Sequence, residues 1–342
     1  MNEERSQGNA LRYVAVFLAA GFAAILVFTI ALVALSFPAG VYAFFFTKLS
    51  ANYSYASLGY PYLWIGPAFV EIPVLMSIGI PFLAATLAYV ALFACTIVSG
   101  VNPLRAIYGS AKKGFSSFFS SPFLVSMIAI GFLVFTASVV DSVVSGSAPP
   151  QDPLVELWGL TYAPLVEEFG FRVLMIGLIV GIVSLDRGFR GFLHALWRPS
   201  SAFAADASMK FGVAALAVIS SLTFGYTHVL AGWTPGKFFE ASYGGFVLAY
   251  LYVKYGFPMA VLGHWGIDYF GSVFSFYGQG AYGIPWNSLT QTYILQELVN
   301  IDLLEVLGIA SFLVVLYVGA TRLAARSSEA HKTPSPGAQG ET

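Results

Sequence analysis

The sequence predicts an all-α integral membrane protein, a polytopic bundle of about eight transmembrane helices. Three observations predict it. Hydrophobic residues make up 58% of the 342-residue chain and charged residues only 10%. A soluble domain carries about 25% charged residues, so the solvent for this much apolar surface is lipid. Eight stretches are apolar over the length, about 20 residues, that a helix needs to cross a bilayer. Finally, the basic residues cluster on alternate connections between those stretches.

Taken in order, a short segment, 1–10, precedes the first apolar run, 11–37. That run is too long for the core of a signal peptide and serves as a first span and targeting signal. Further spans are expected at 73–99, 121–144, 157–184, 209–230, 239–254, 257–276 and 301–322. None shows the in/out alternation of a membrane barrel. The connection from Val41 to Leu63 is rich in Tyr and Phe, the composition of an interfacial segment. The stretch 105–120 is basic with three phenylalanines; it suits an amphipathic segment on the inner surface or a solvated loop. The transmembrane domain thus covers 11–326. The tail, 327–342, is Pro, Gly, Ser and charge and is expected to be disordered.

Cytoplasmic loops of membrane proteins hold the excess of Lys and Arg. With the N-terminus inside, the inner segments hold Arg5, Arg12, Arg105, Lys112, Lys113, Arg187, Arg190, Arg198, Lys210, Lys254, Arg322, Arg326 and Lys332. The outer loops hold only Lys48 and Lys237. Both termini are therefore expected in the cytoplasm of a multi-pass protein, in the plasma membrane if the source is prokaryotic. A net charge of −1 argues against a nucleic-acid surface. The single cysteine, Cys95, has no partner for an internal disulfide and is expected as a small buried residue.

Ionisable side chains inside spans are costly and default to functional roles. The span 157–184 contains Glu167, Glu168 and Arg172. Glu168 and Arg172, at i and i+4, share a face and can pair. Glu167 points about 100° away and is left with a separate task. Phe224 and His228 are again i and i+4, as are His264 and Asp268. Each has a structural alternative: an ion pair joining helices for Glu168 and Arg172, interhelical hydrogen bonds for the histidines, orientation of His264 for Asp268, and packing for Phe224. Asp141, Glu71, Glu240 and Glu305 fall near span ends, where interfacial water accommodates them. The combination on three helices is what favours chemistry.

Apolar surroundings make a carboxylate a stronger base, as general-base catalysis near neutral pH requires. Glu167 with His228 can activate a water. Attack on a peptide carbonyl builds an oxyanion that two donors must meet, and His264 with Asp268 has suitable spacing on one face. An ionised Asp268 would repel that charge; a protonated one would donate to it. Zinc held by two histidines and a glutamate is the alternative, but His-Glu-x-x-His is absent.

Glu167-Glu168-x-x-x-Arg172, Phe224-x-x-x-His228 and His264-x-x-x-Asp268, in this order on successive spans, resemble the CPBP family. Its members are CAAX-type prenyl-protein endopeptidases and bacteriocin-processing or self-immunity proteins, also called the ABI family. The resemblance covers roughly 120–276. It implies a glutamate-type intramembrane endopeptidase without a metal, in which Glu167 and His228 activate water and His264 and Asp268 stabilise the oxyanion. Glu168, Arg172 and Phe224 would be structural support. Prenyl-directed members typically carry Asn where this chain has Asp268, and Asp occurs in the wider family. The implied partner is a peptide or protein substrate, prenylated or not. Two other classes compete: a non-catalytic membrane immunity or binding factor, and a proton-coupled transporter, which would show two repeated halves. No such repeat is evident.

Overall fold

The computed structural model describes residues 24, 27–98, 151–202 and 207–283, with isolated positions within 131–143 and 309–320. The expected spans 121–144 and 301–322 are touched only at those isolated positions. The segments 1–10 and 105–120 and the tail 327–342 lie outside the described residues.

Helix α1 runs Val27–Phe46, so the first span continues nine residues beyond its expected end at 37. Strands follow where an interfacial loop is expected: β1 Leu58–Gly59, β2 Tyr62–Ile65, β3 Ala68–Glu71 and β4 Met76–Ser77. β2 and β3 form an antiparallel hairpin in the register Tyr62↔Glu71, Leu63↔Val70, Trp64↔Phe69 and Ile65↔Ala68. Its turn is Gly66-Pro67. Gly66 has φ +58°, a conformation a two-residue hairpin turn takes readily only with glycine. Outside this hairpin, β1 pairs with β4. Helix α2 then spans Gly79–Val98, starting six residues later than expected because β4 takes the beginning of that run. Cys95 is exposed on α2 rather than buried.

A single helical stretch, Pro153–Trp197, contains the acidic motif. It begins as α3, Pro153–Glu167. Asp152 caps α3 by accepting from Leu154 N at 3.0 Å, and Pro153 opens the first turn, where its missing N–H costs nothing. From Glu168 to Gly177 the winding widens to π-helix, and α4 resumes at Leu178–Val183. After a tight turn, α5, Gly188–Trp197, folds back along α4. A Cβ added at Gly181 would meet Phe192, and one at Gly177 would meet Leu196 O. The basic connection that follows the acidic motif is therefore partly a helix.

Helices α6, Ala207–Leu230, and α7, Gly236–Tyr255, cross closely. Gly225 lies against Ser242 Oγ and Phe238 O, and Gly245 against Ser221. Small residues let membrane helices approach until backbones touch. A turn at Gly256, φ +100°, leads to α8, Phe257–Trp265, a second π segment, Gly266–Phe270, and α9, Gly271–Tyr282. Every residue of α8 from Pro258 to Trp265 is buried. Among the described residues three helices are long and apolar enough to cross a membrane: Val27–Phe46, Pro153–Trp197 and Ala207–Leu230.

Two apolar clusters flank the middle of these helices. In one, Phe44, Phe82, Tyr89, Leu157, Trp265, Tyr269 and Phe270 join α1, α2, α3, α8 and its π segment. Tyr269 donates to Ser36 O at 3.0 Å, and Gly40 leaves room for its phenol. In the other, Val173, Ile176 and Val180 meet Ala195, Val213, Ala249, Tyr252 and Ala260. The ionisable motif lies between them.

Candidate active site

The wide-turned helix, α6 and α8 each deliver part of one cluster. Glu168 and Arg172 have no solvent exposure, 0% each. Arg172 Nε stands 3.1 Å from Glu168 Oε2. Arg172 Nη1 donates to Ser220 Oγ at 2.9 Å, and Ser220 Oγ donates to Phe171 O at 2.7 Å. The guanidinium sits over the Phe224 ring, 5.0 Å from its centroid. A buried charge pair persists only when its remaining hydrogen-bonding groups are also met, and Ser220 and Phe224 supply part of that shell.

Glu168 has a second task that the sequence reading did not assign: its Oε1 lies 3.0 Å from His264 Nδ1. His264 Nε2 faces Asp268 Oδ2 at 3.2 Å and Glu167 Oε2 at 3.8 Å. Both ring nitrogens thus face carboxylate oxygens, and an N–H at each satisfies both contacts. Phe224 holds the second histidine. Its ring meets that of His228 edge-on at 4.6 Å and that of His264 at 5.7 Å. His228 Nδ1 lies 2.8 Å from Phe224 O. A carbonyl only accepts, so Nδ1 carries the proton, and Nε2 is the nitrogen left for a ligand.

Glu167, His228, His264 and Asp268 all line one cavity of about 440 Å³. Glu168 and Arg172 stand behind this wall, while Phe224 forms part of it. His194 lies on α5, outside the cluster.

The sequence reading missed the rest of the lining. Tyr62, Trp64 and Phe69 come from the β2–β3 hairpin; Trp158 comes from α3; Trp233 and Lys237 come from the α6–α7 connection and the start of α7. The hairpin is seated on the π-helical turn. Trp64 O lies where a Cβ on Gly170 would be, and the Trp64 ring packs on Phe171 at 5.9 Å. Tyr162 donates to Tyr62 O at 3.0 Å. Burial, with the Glu167 carboxylate adding to it, holds the Tyr62 phenol protonated far above the ordinary tyrosine range. The legible signal was the run 62–72, apolar apart from Glu71 and divided by Gly66-Pro67. Lys237 pairs with Glu240 at the cavity wall and lies over the Trp233 ring at 4.5 Å. Glu240 is therefore ion-paired beside the site and is not merely solvated at a helix end. Among the described residues no group of three or more His, Cys, Asp and Glu side chains is arranged to hold a metal ion.

Fold and cavity together define a helical membrane protein with an ionisable site enclosed among its helices. Residues 149–270 match the family described as Type II CAAX prenyl endopeptidase Rce1-like. The matched stretch holds Glu167, Glu168, Arg172, Phe224, His228, His264 and Asp268, so over its motif-bearing part the chain is similar to the CPBP, or CAAX-protease, family. No match is found among curated proteins or among solved structures. The hairpin over the cavity lies outside the matched residues.

Proposed function

We propose that the chain is an intramembrane endopeptidase that hydrolyses a peptide bond with a water activated by Glu167 and His228. One observation carries the reading: the four motif residues from three helices share one cavity wall. In this mechanism Glu167 takes a proton from the water as hydroxide adds to the scissile carbonyl carbon. His228 Nε2 accepts the water's second hydrogen bond and orients its lone pair. The carbonyl oxygen becomes the oxyanion, met by the His264 Nε2–H and by the O–H of Asp268, which acts here in its protonated form. The tetrahedral intermediate collapses, the C–N bond breaks, and the proton held by Glu167 passes to the leaving amine. Glu168 and Arg172 hold His264 in place, and no metal is required.

The substrate is a peptide or protein segment. The aromatic walls from Tyr62, Trp64, Phe69, Trp158 and Trp233 suit an apolar segment, prenylated or not. The reading also takes the chain to cross the membrane eight times with both termini in the cytoplasm, as its basic residues imply.

The test is cleavage of a panel of prenylated and unprenylated peptides by the purified protein in detergent. Glu167→Ala and a chelator serve as parallel controls. Cleavage is expected to vanish in Glu167→Ala and to be unchanged by the chelator. Full cleavage by a folded Glu167→Ala protein would sink the mechanism, and chelator-sensitive cleavage would assign the site to zinc. A non-catalytic role would leave protection or partner binding intact in that variant, and proton-coupled transport would show as solute flux in vesicles.

A further inference from the structure

The outer surface of the α4–α5 hairpin is built in three sectors. With 100° per residue, Gly191, Phe192, Ala195 and Leu196 of α5 face the protein, where Gly181 and Gly177 make room for them. The next sector holds Phe189, Leu193 and Trp197, at i, i+4 and i+8, which are 67%, 44% and 54% exposed. Arg190 and His194 occupy the sector beyond, both exposed. Arg187 and Arg198 flank the helix and are exposed too, and α5 itself carries no acidic residue. Among the described residues no ion pair engages these three arginines. The end of α5 packs on the α7–α8 turn: Ser200 Oγ donates to Lys254 O at 3.3 Å, and Gly256 lies against Trp197 O.

We propose that α5 is an interfacial helix that docks on an anionic phospholipid surface, with Phe189, Leu193 and Trp197 among the acyl chains and Arg187, Arg190 and Arg198 on the phosphate headgroups. Two facts choose the bilayer as occupant. The hairpin is the C-terminal end of the helical stretch Pro153–Trp197, which is long and apolar enough to cross a membrane, so the bilayer lies beside it. A basic sector beside a Phe/Leu/Trp sector is the pattern that seats a helix in the plane of an anionic interface. Each arginine near such a surface adds attraction that salt screens.

The proposal rests on the membrane reading and not on the catalytic one, so it is tested without cleavage. The full chain in mild detergent is titrated with phosphatidylglycerol or phosphatidylcholine, and bound lipid is counted by native mass spectrometry. Phosphatidylglycerol is expected to be retained preferentially. Retention in the Arg187→Gln/Arg190→Gln/Arg198→Gln variant is expected to fall by about fivefold per charge removed. In parallel, hydrogen exchange over 184–198 of the unmodified chain is compared in nanodiscs with and without phosphatidylglycerol. Slower exchange in the anionic discs is expected, and this arm needs no variant to fold. Equal retention of the two lipids, or exchange indifferent to the lipid, overturns the proposal. Displacement of phosphatidylglycerol by equimolar inorganic phosphate would overturn it in favour of a free-phosphate site.

Discussion

His264 Nδ1 and Glu168 Oε1 meet at 3.0 Å across 96 positions of sequence, and the other oxygen of the same carboxylate holds Arg172 at 3.1 Å. One buried side chain therefore ties the acidic motif to the last histidine motif. It also fixes which way the imidazole faces: Nδ1 is committed to Glu168, so Nε2 is the edge presented to Asp268, Glu167 and the cavity.

Removing the cation from this arrangement strands a buried carboxylate. Arg172→Leu is expected to cost about 3–5 kcal/mol, read as a fall in thermal unfolding temperature in detergent. The double variant Glu168→Leu/Arg172→Leu removes both charges and is expected to be more stable than Arg172→Leu alone. A double variant that is no better would mean that the pair's net charge is not what matters.

Glu168→Gln keeps an acceptor for His264 but alters the orientation and charge behind it. In the peptidase reading kcat is expected to fall with little change in KM, because Glu168 does not line the cavity. A change confined to KM would contradict a positioning role.

His228 is tied locally, by one bond to Phe224 O at 2.8 Å. His228→Ala is expected to abolish cleavage while costing only about 0.5–1.5 kcal/mol of stability. Loss of folding together with activity would show that the residue is structural.

Gly170 has no room for a side chain beneath Trp64 O. Gly170→Ala is expected to lift the β2–β3 hairpin at a cost of about 1–3 kcal/mol. Hydrogen exchange over 62–71 should quicken, and KM should rise as Trp64 and Tyr62 leave the cavity wall. Unaltered exchange in the hairpin would refute the seating.

Gly225 plays the same part where α6 meets α7. A methyl there would meet Ser242 Oγ and Phe238 O and push apart the helices that carry His228 and Lys237. Gly225→Ala is expected to lower both activity and unfolding temperature, and Ser242→Gly in the same chain is expected to restore part of each.

Much of the fold class and the motif positions was legible in the sequence, because each depends on local terms. The apolar content forces a lipid environment, and helical spacing alone pairs Glu168 with Arg172 and His264 with Asp268, as the structure shows at 3.1 and 3.2 Å. Span limits were less legible. Hydropathy averages over a window, so it missed the Asp152-Pro153 start of α3 and the strand at Met76–Ser77. It also missed the helix within the basic stretch 188–197, where the apolar residues occupy only part of the circumference.

The class of protein and the set of side chains able to do chemistry can be read along the chain. Both follow from composition and from the fixed 100° turn of a helix. Packing in three dimensions is what brings Glu168 to His264, joins the three motifs at one cavity and lines it with an aromatic hairpin. Those contacts join residues about 100 positions apart and depend on π-helical winding and on glycine clearances at Gly170 and Gly225. Neither is visible to a pattern read along a single strand of sequence.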